Sequence, residues 1–205
     1  MKITLIDYGA GNLPSVERAL QRLGTQTERV DTPESLANVS ALILPGVGHY
    51  AALIRALDKN GLRESLMAAI SRGIPFLGIC LGLQVLYQKS DEAPNLPGLN
   101  ILPGSVRVLT GQVKLPHMGW NQVRAKAASR LLNGIDPDAY FYFAHSYAAS
   151  YAATDSELDV HATCLYGTEF IAIAERENLF GVQFHPEKSG DAGQRVLQNF
   201  LRIAA

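Results

Sequence analysis

The rhythm of hydrophobic and polar positions changes about halfway along this chain. In the first half, short apolar runs alternate with stretches whose apolar residues recur every three or four positions. Residues 2–7 predict a strand, followed by the turn Gly9-Ala10-Gly11-Asn12 and a helix over 14–23 with Val16, Ala19, Leu20 and Leu23 on one face. Residues 25–30 predict a weaker strand, and 41–44 a strong one that ends at Pro45-Gly46. Helical periodicity covers 50–71 with a break near Asn60-Gly61. A strand over 74–79 then runs into a helix over 81–89 that contains no breaker after Gly82. This alternation predicts an α/β fold with a mostly parallel sheet and helices on both faces.

From about residue 94 the pattern shortens to alternating runs at 105–109, 118–126, 139–146, 161–166, 170–176 and 179–184. They predict antiparallel hairpins that extend the sheet, with Glu177-Asn178 as the turn between the last two. Residues 190–205 close the pattern as an amphipathic helix carrying Val196, Leu197, Phe200, Leu201 and Ile203 on its apolar face.

A length of 205 residues with 47% hydrophobic content suits one core, so residues 1–205 are expected to form a single domain. The 18 basic and 19 acidic residues give a net charge of −1 without long runs of either sign, which argues against nucleic acid or an anionic membrane as partner. Apolar stretches stop well short of the roughly 20 residues a membrane helix needs, and the N-terminus reads as a strand rather than a signal peptide. A cytoplasmic location is the expectation. Cys80 and Cys164 are the two cysteines, and neither belongs to a C-x-x-C pair.

Cys80 lies between Gly78 and Gly82, where the predicted strand turns into the predicted helix. Such an elbow forces strained backbone on its central residue, and the small flanking residues let strand and helix approach closely. The unpaired N–H groups at a helix start promote the reactivity of a thiol placed there. The elbow alone also fits a small buried hydrophobe. The stretch Gly181-Val182-Gln183-Phe184-His185-Pro186-Glu187 decides in favour of chemistry. At strand spacing His185 and Glu187 face the same side, so the carboxylate can hold one ring nitrogen and leave the other for sulfur. Pro186 marks a strand end, where the sites of open α/β sheets lie.

Acyl transfer also needs donors for an oxyanion. The N–H of Leu81, directly after the nucleophile, is one, and Val47 in Pro45-Gly46-Val47-Gly48 is the second candidate, because Gly46 and Gly48 allow close approach of backbone to substrate. The Gly9-Ala10-Gly11-Asn12 turn lacks a third glycine and a P-loop lysine, so it reads as a tight turn or contact surface rather than a phosphate cradle. His49, His117, His145 and His161 show no paired metal-ligand spacing, and no metal is expected.

Taken together, the Cys80 elbow, the Pro45 loop, the His-Pro-Glu segment, Pro116-His117-Met118-Gly119-Trp120-Asn121 and Tyr142-Phe143-Ala144-His145-Ser146-Tyr147 make the chain resemble the triad-type glutamine amidotransferases over essentially its full length. The resemblance implies a flavodoxin-like fold and glutamine as substrate. It implies Cys80, His185 and Glu187 as triad, with Gln84, His145, Ser146 and Tyr147 helping to hold glutamine. Neither metal nor organic cofactor is implied. The block around Trp120 and the opening turn point, within that family, to a subunit that passes ammonia to a (β/α)8-barrel synthase. Asn12, Met118, Trp120 and Asn121 are then the expected contacts with that partner, Trp120 being an aromatic anchor of the kind interfaces favour. A related amidotransferase feeding another acceptor, a stand-alone cysteine hydrolase and a non-catalytic binding module are the competing readings, and the His117–Asn121 block argues against the first.

Overall fold

The computed structural model of the chain describes residues 2–151 and 159–205. The expected domain, residues 1–205, therefore includes positions 1 and 152–158 that lie outside the described residues. Strands β1 (Lys2–Ile6), β2 (Gln26–Val30), β3 (Leu42–Gly46) and β4 (Phe76–Cys80) come from the first half. Between them run α1 (Leu13–Arg22), α2 (Tyr50–Lys59) and α3 (Leu62–Ser71), and β4 leads straight into α4 (Leu81–Gln84). The second half supplies β5 (Lys89–Ser90), β6 (Ser105–Val108), β7 (His117–Gln122), β8 (Arg124–Ala125), β9 (Tyr140–His145), β10 (Tyr147–Ala149), β11 (Val160–Tyr166), β12 (Thr168–Arg176), β13 (Leu179–Val182) and α5 (Gly190–Ala204).

The main sheet has the order β2-β1-β3-β4-β13-β12-β11-β8. Its first five strands are parallel and the rest antiparallel. The parallel part has the flavodoxin-type order, in which ligands bind beyond the carboxyl ends of the strands. Successive residues of β3 bury on opposite faces. Leu42 and Leu44 join a core with Leu53, Leu57, Leu66 and Ile70 of α2 and α3. Ile43 joins a second core with Val16, Leu20, Val196 and Phe200 of α1 and α5. Helices thus cover both faces, and no helix among the described residues is long and apolar enough to cross a membrane.

Three expectations are corrected. The second half extends the main sheet through the antiparallel β12, β11 and β8 as expected, but its other strands do not join it: β10-β6-β5 is a small separate sheet, and β7 with β9 forms a two-stranded antiparallel ribbon. The strand expected over 41–44, ending at Pro45-Gly46, spans Leu42–Gly46 and takes in both residues. The helix expected over 81–89 lasts one turn. Its continuation is pre-empted because later residues take the carbonyls: Leu99 N–H donates to Val85 (2.7 Å), Ile101 and Leu102 to Leu86 (2.9 Å each), and Gly98 to Gln88 (2.9 Å). Gly61, with φ 67°, makes the break between α2 and α3.

Candidate active site

Strand registry gathers the chemistry-bearing segments. Gly46 at the end of β3 pairs with Cys80 at the end of β4, and Val182 at the end of β13 pairs with Ile79 on the other side. The Val47 loop, Cys80 and His185 therefore leave three adjacent strands at one edge, although nearly 140 positions separate Val47 from His185 in sequence. Cys80 has φ 55° and ψ −107°, a conformation that costs a side-chain-bearing residue on the order of 1–3 kcal/mol and must be imposed by its surroundings. Close packing imposes it. A Cβ on Gly82 would lie 1.9 Å from the Leu44 carbonyl oxygen, and one on Gly78 would lie 2.4 Å from that of Gly82.

His185 Nδ1 lies 2.9 Å from Glu187 Oε1, with both side chains almost fully buried. The pair does not form by strand spacing, as the sequence suggests: Pro186–Lys188 is a single 3-10 turn that folds Glu187 back over the ring. Its carboxylate is unlike that of Glu175, which is also buried. Glu175 is fully engaged, accepting from Ser129 Oγ and from the N–H groups of Arg130 (3.1 Å) and Leu131 (3.2 Å). Glu187 Oε2 is buried with no hydrogen-bond partner among the described residues, so the carboxylate is directed at the imidazole. Burial works against the imidazolium, but the neighbouring Cys80, by charge and polar contact, and the Glu187 carboxylate outweigh it and push His185 up to about 10.

A cavity of about 170 Å³ opens above Cys80, lined among others by Val47, Gly48, Leu81, Gln84, His145 and His185. Ser146, Tyr147, Lys188 and Glu92 complete its wall. Glu92 has no signal in the sequence, because it arrives on the irregular segment after β5; its Oε2 accepts from Tyr50 N–H (2.8 Å) at the start of α2. Gly46 is not at the cavity. A Cβ there would lie 2.6 Å from that of Leu81, so its role is to let β3 pack against α4. Val47 also departs from expectation. Its N–H donates to Tyr8 Oη (3.2 Å), and the same hydroxyl donates to the Val47 carbonyl (3.3 Å), so this peptide is held by the buried Tyr8 rather than free to receive an oxyanion. Burial raises the pKa of Tyr8, the hydrogen bond to Val47 partly opposing this, so it remains a hydroxyl at neutral pH.

Hydrogen bonds run from the ribbon to the cavity. His145 Nδ1 lies 2.9 Å from the Tyr147 carbonyl and must donate to it, which leaves Nε2 as acceptor. His117 Nδ1, 3.3 Å away, then donates to that nitrogen, and Asn121 Nδ2 donates to His117 Nε2 (3.4 Å). Both rings are neutral. Burial holds His117 down at about 4; burial, with the charge of His117 and then of His185 overcoming the Tyr147 hydrogen bond, holds His145 at about 3. Asn121 Nδ2 also donates to the Leu165 carbonyl (3.2 Å), so the side chain braces the ribbon as well as facing outward.

Of the remaining expected contacts, Met118 and Trp120 are 65% and 55% exposed on β7. Trp120 packs edge-on to Tyr142, whose ring lies under Lys188 Nζ at 5.6 Å. Asn12 is the half-exposed residue that starts α1. Neighbouring Gly11 approaches Tyr8 and the Pro45 carbonyl, which places that turn beside the Val47 loop. Cys164 is buried away from these groups, and burial pushes its thiol up to about 12.

The family model described as "Glutamine amidotransferase class-I" matches residues 4–204. The chain belongs to the class-I glutamine amidotransferases. This class-I chain is 48% identical to the protein named "Imidazole glycerol phosphate synthase subunit HisH" from Moorella thermoacetica, over 97% of its own length and 93% of the relative's. It is 46% identical to the protein of the same name from Methanothermobacter thermautotrophicus, over 98% of each. Among solved structures the amidotransferase fold recurs in one described as a glutamine amidotransferase, with TM-score 0.78, 19% identity and 98% coverage of both chains. It recurs also in PurLQS from Thermotoga maritima, with TM-score 0.75, 19% identity and coverage of 98% and 97%.

Proposed function

We propose that this chain, as one amidotransferase domain over residues 1–205, is the glutaminase subunit of an imidazole glycerol phosphate synthase in histidine biosynthesis. The observation that carries this reading is the meeting of Cys80 with the buried His185–Glu187 pair at the edge of three adjacent strands, in a chain so similar to subunits of that name.

Cys80 Sγ attacks the side-chain carbonyl carbon of glutamine. The Leu81 N–H receives the developing oxyanion, and Val47 N–H joins it once released from Tyr8. His185 gives its proton to the departing ammonia as the C–N bond breaks, leaving a thioester. A water then attacks the thioester, His185 takes the proton from it, and the C–S bond breaks to release glutamate. Glu187 fixes the ring through Nδ1 and balances its charge. Gln84 Oε1 is buried and unpartnered, an acceptor available to the substrate, and Glu92 offers a negative charge to its α-ammonium. Gly48 and the segment His145-Ser146-Tyr147 hold the rest of the molecule. No metal or organic cofactor is required by these steps.

Ammonia passes to a (β/α)8-barrel synthase docked on the face carrying Asn12, Met118, Trp120 and Asn121, and the pair works in the cytoplasm. The test compares glutamine hydrolysis by the purified chain alone and with the barrel synthase and its ribotide substrate. Cys80→Ala is expected to lower glutamine turnover by at least about 10⁴-fold, while binding the synthase and sparing synthesis from added ammonia. Full glutaminase activity in Cys80→Ala overturns the nucleophile, and turnover indifferent to the synthase supports a stand-alone hydrolase.

A further inference from the structure

Gln183 lies two residues before His185, is fully buried, and has no part in the mechanism above. Its Nε2 lies 3.4 Å from Cys80 Sγ, within range for an N–H donor to sulfur. The other end of the amide is fixed. Gln183 Oε1 accepts from Gln84 Nε2 at 3.1 Å, and Gln84 Nε2 also donates to the Tyr147 carbonyl at 2.7 Å. A carbonyl can only accept, so Gln84 must present its NH2 there, and its second N–H then falls on Gln183 Oε1. Neither amide can be turned over without setting oxygen against oxygen. The order of donors therefore runs one way and ends with an N–H directed at the sulfur.

We propose that Gln183 is a positioning residue for Cys80, whose side-chain N–H holds the sulfur in place and favours its anionic form before attack and again as it leaves the thioester. The inference rests on the reading of Cys80 as nucleophile. A hydrogen bond donated to a charged acceptor is stronger than one to the neutral form, so the donor matters most when sulfur carries charge. A thioester sulfur is a poor acceptor, so the same bond strengthens as the C–S bond breaks. Gln183 touches neither substrate nor the transferred proton; it acts through Cys80.

The test replaces the donor while keeping the shape. In Gln183→Glu one oxygen still accepts from Gln84 and the other faces the sulfur as an acceptor. Gln183→Met removes both polar ends. The readout is the rate of alkylation of Cys80 by iodoacetamide between pH 5 and 10, followed on the Cys80 peptide by mass, with Cys164 as an internal control and thermal melts to establish folding. The titratable and charged groups facing Cys80 are His185 after β13, Tyr8 after β1, and Glu92, His145, Tyr147 and Lys188 around the cavity. All stay in place in both variants; Gln183→Glu adds a carboxylate beside the sulfur, and Gln183→Met removes the donor without adding charge. Alkylation at pH 7 is expected to slow about tenfold in Gln183→Glu, its pH profile moving to higher pH, and to change in the same direction by less in Gln183→Met.

A folded Gln183→Glu chain with the parent's profile overturns the inference and leaves the role of Cys80 untouched. Glutaminase activity that survives complete alkylation of Cys80 overturns that role, and the inference with it. A third measurement needs no variant: the side-chain amide NMR signals of Gln183 in the unmodified chain should move with pH in step with alkylation. Signals that stay fixed across that range overturn the inference even if neither variant folds.

Discussion

Cys80 and His185 stand on the ends of central strands and are 5% and 3% exposed, whereas Val47, Met118 and Trp120 on the loop and ribbon beside them are 37%, 65% and 55% exposed. The first group is fixed by the core: Cys80 is clamped between Gly78 and Gly82, and His185 and Glu187 are folded together by one turn. The second depends on a single tyrosine hydroxyl and on a two-stranded ribbon. On the proposed function, the contrast separates making the chemistry possible from deciding when it runs. The first demands rigidity, and the second an exposed surface that a partner can alter.

The neutral imidazoles of His117 and His145 join the two regions, and acid is the strongest way to break them apart. Their folded pKa values, about 4 and about 3, lie below the ordinary 6.5, so unfolding takes up protons between these values. The stability they contribute is complete above pH 6.5 and is lost as pH falls through about 4 for His117 and about 3 for His145. Denaturant unfolding across that range should show the slope, and His117→Gln should lessen it.

Next in size is Glu187→Gln, which keeps the shape and removes the charge facing His185. Glutamine turnover should fall by about a hundredfold or more with little change in affinity for the synthase. Trp120→Ala should do the reverse, weakening the complex by about thirtyfold, as measured by titration, while sparing the basal glutaminase rate. A Trp120→Ala chain that binds normally would remove the ribbon from the proposed interface. The smallest change is Tyr8→Phe. It frees the Val47 N–H from a hydrogen bond of about 1 kcal/mol, and should raise glutaminase activity of the isolated chain by about fivefold.

What the sequence discloses follows the same division. The Cys80 elbow is legible because both glycines and the apolar run before it are local signals. The parallel half is legible for the same reason. Glu92 and Gln183 are not, since one arrives on an irregular segment and the other depends on an amide 99 positions away. The helix beyond Gln84 was expected from local pattern, yet carbonyls claimed by residues 98–102 end it. His185 and Glu187 meet as the sequence suggests, but through a turn that strand spacing does not foresee. Exposure of Trp120 is a tertiary fact, since the same residue type fills cores equally well.

The placement of β13 has a consequence for how the molecule is made. It lies in the middle of the main sheet, between β4 and β12, yet follows every other described strand in the chain and so leaves the ribosome after them. Until it emerges, β4 carries an open edge beside Cys80, the kind of edge that invites mispairing in a nascent chain. The same segment brings His185 and Glu187. On the proposed function, the thiol therefore stays without its base until β13 has been made, and closure of the sheet and arming of the site become a single event.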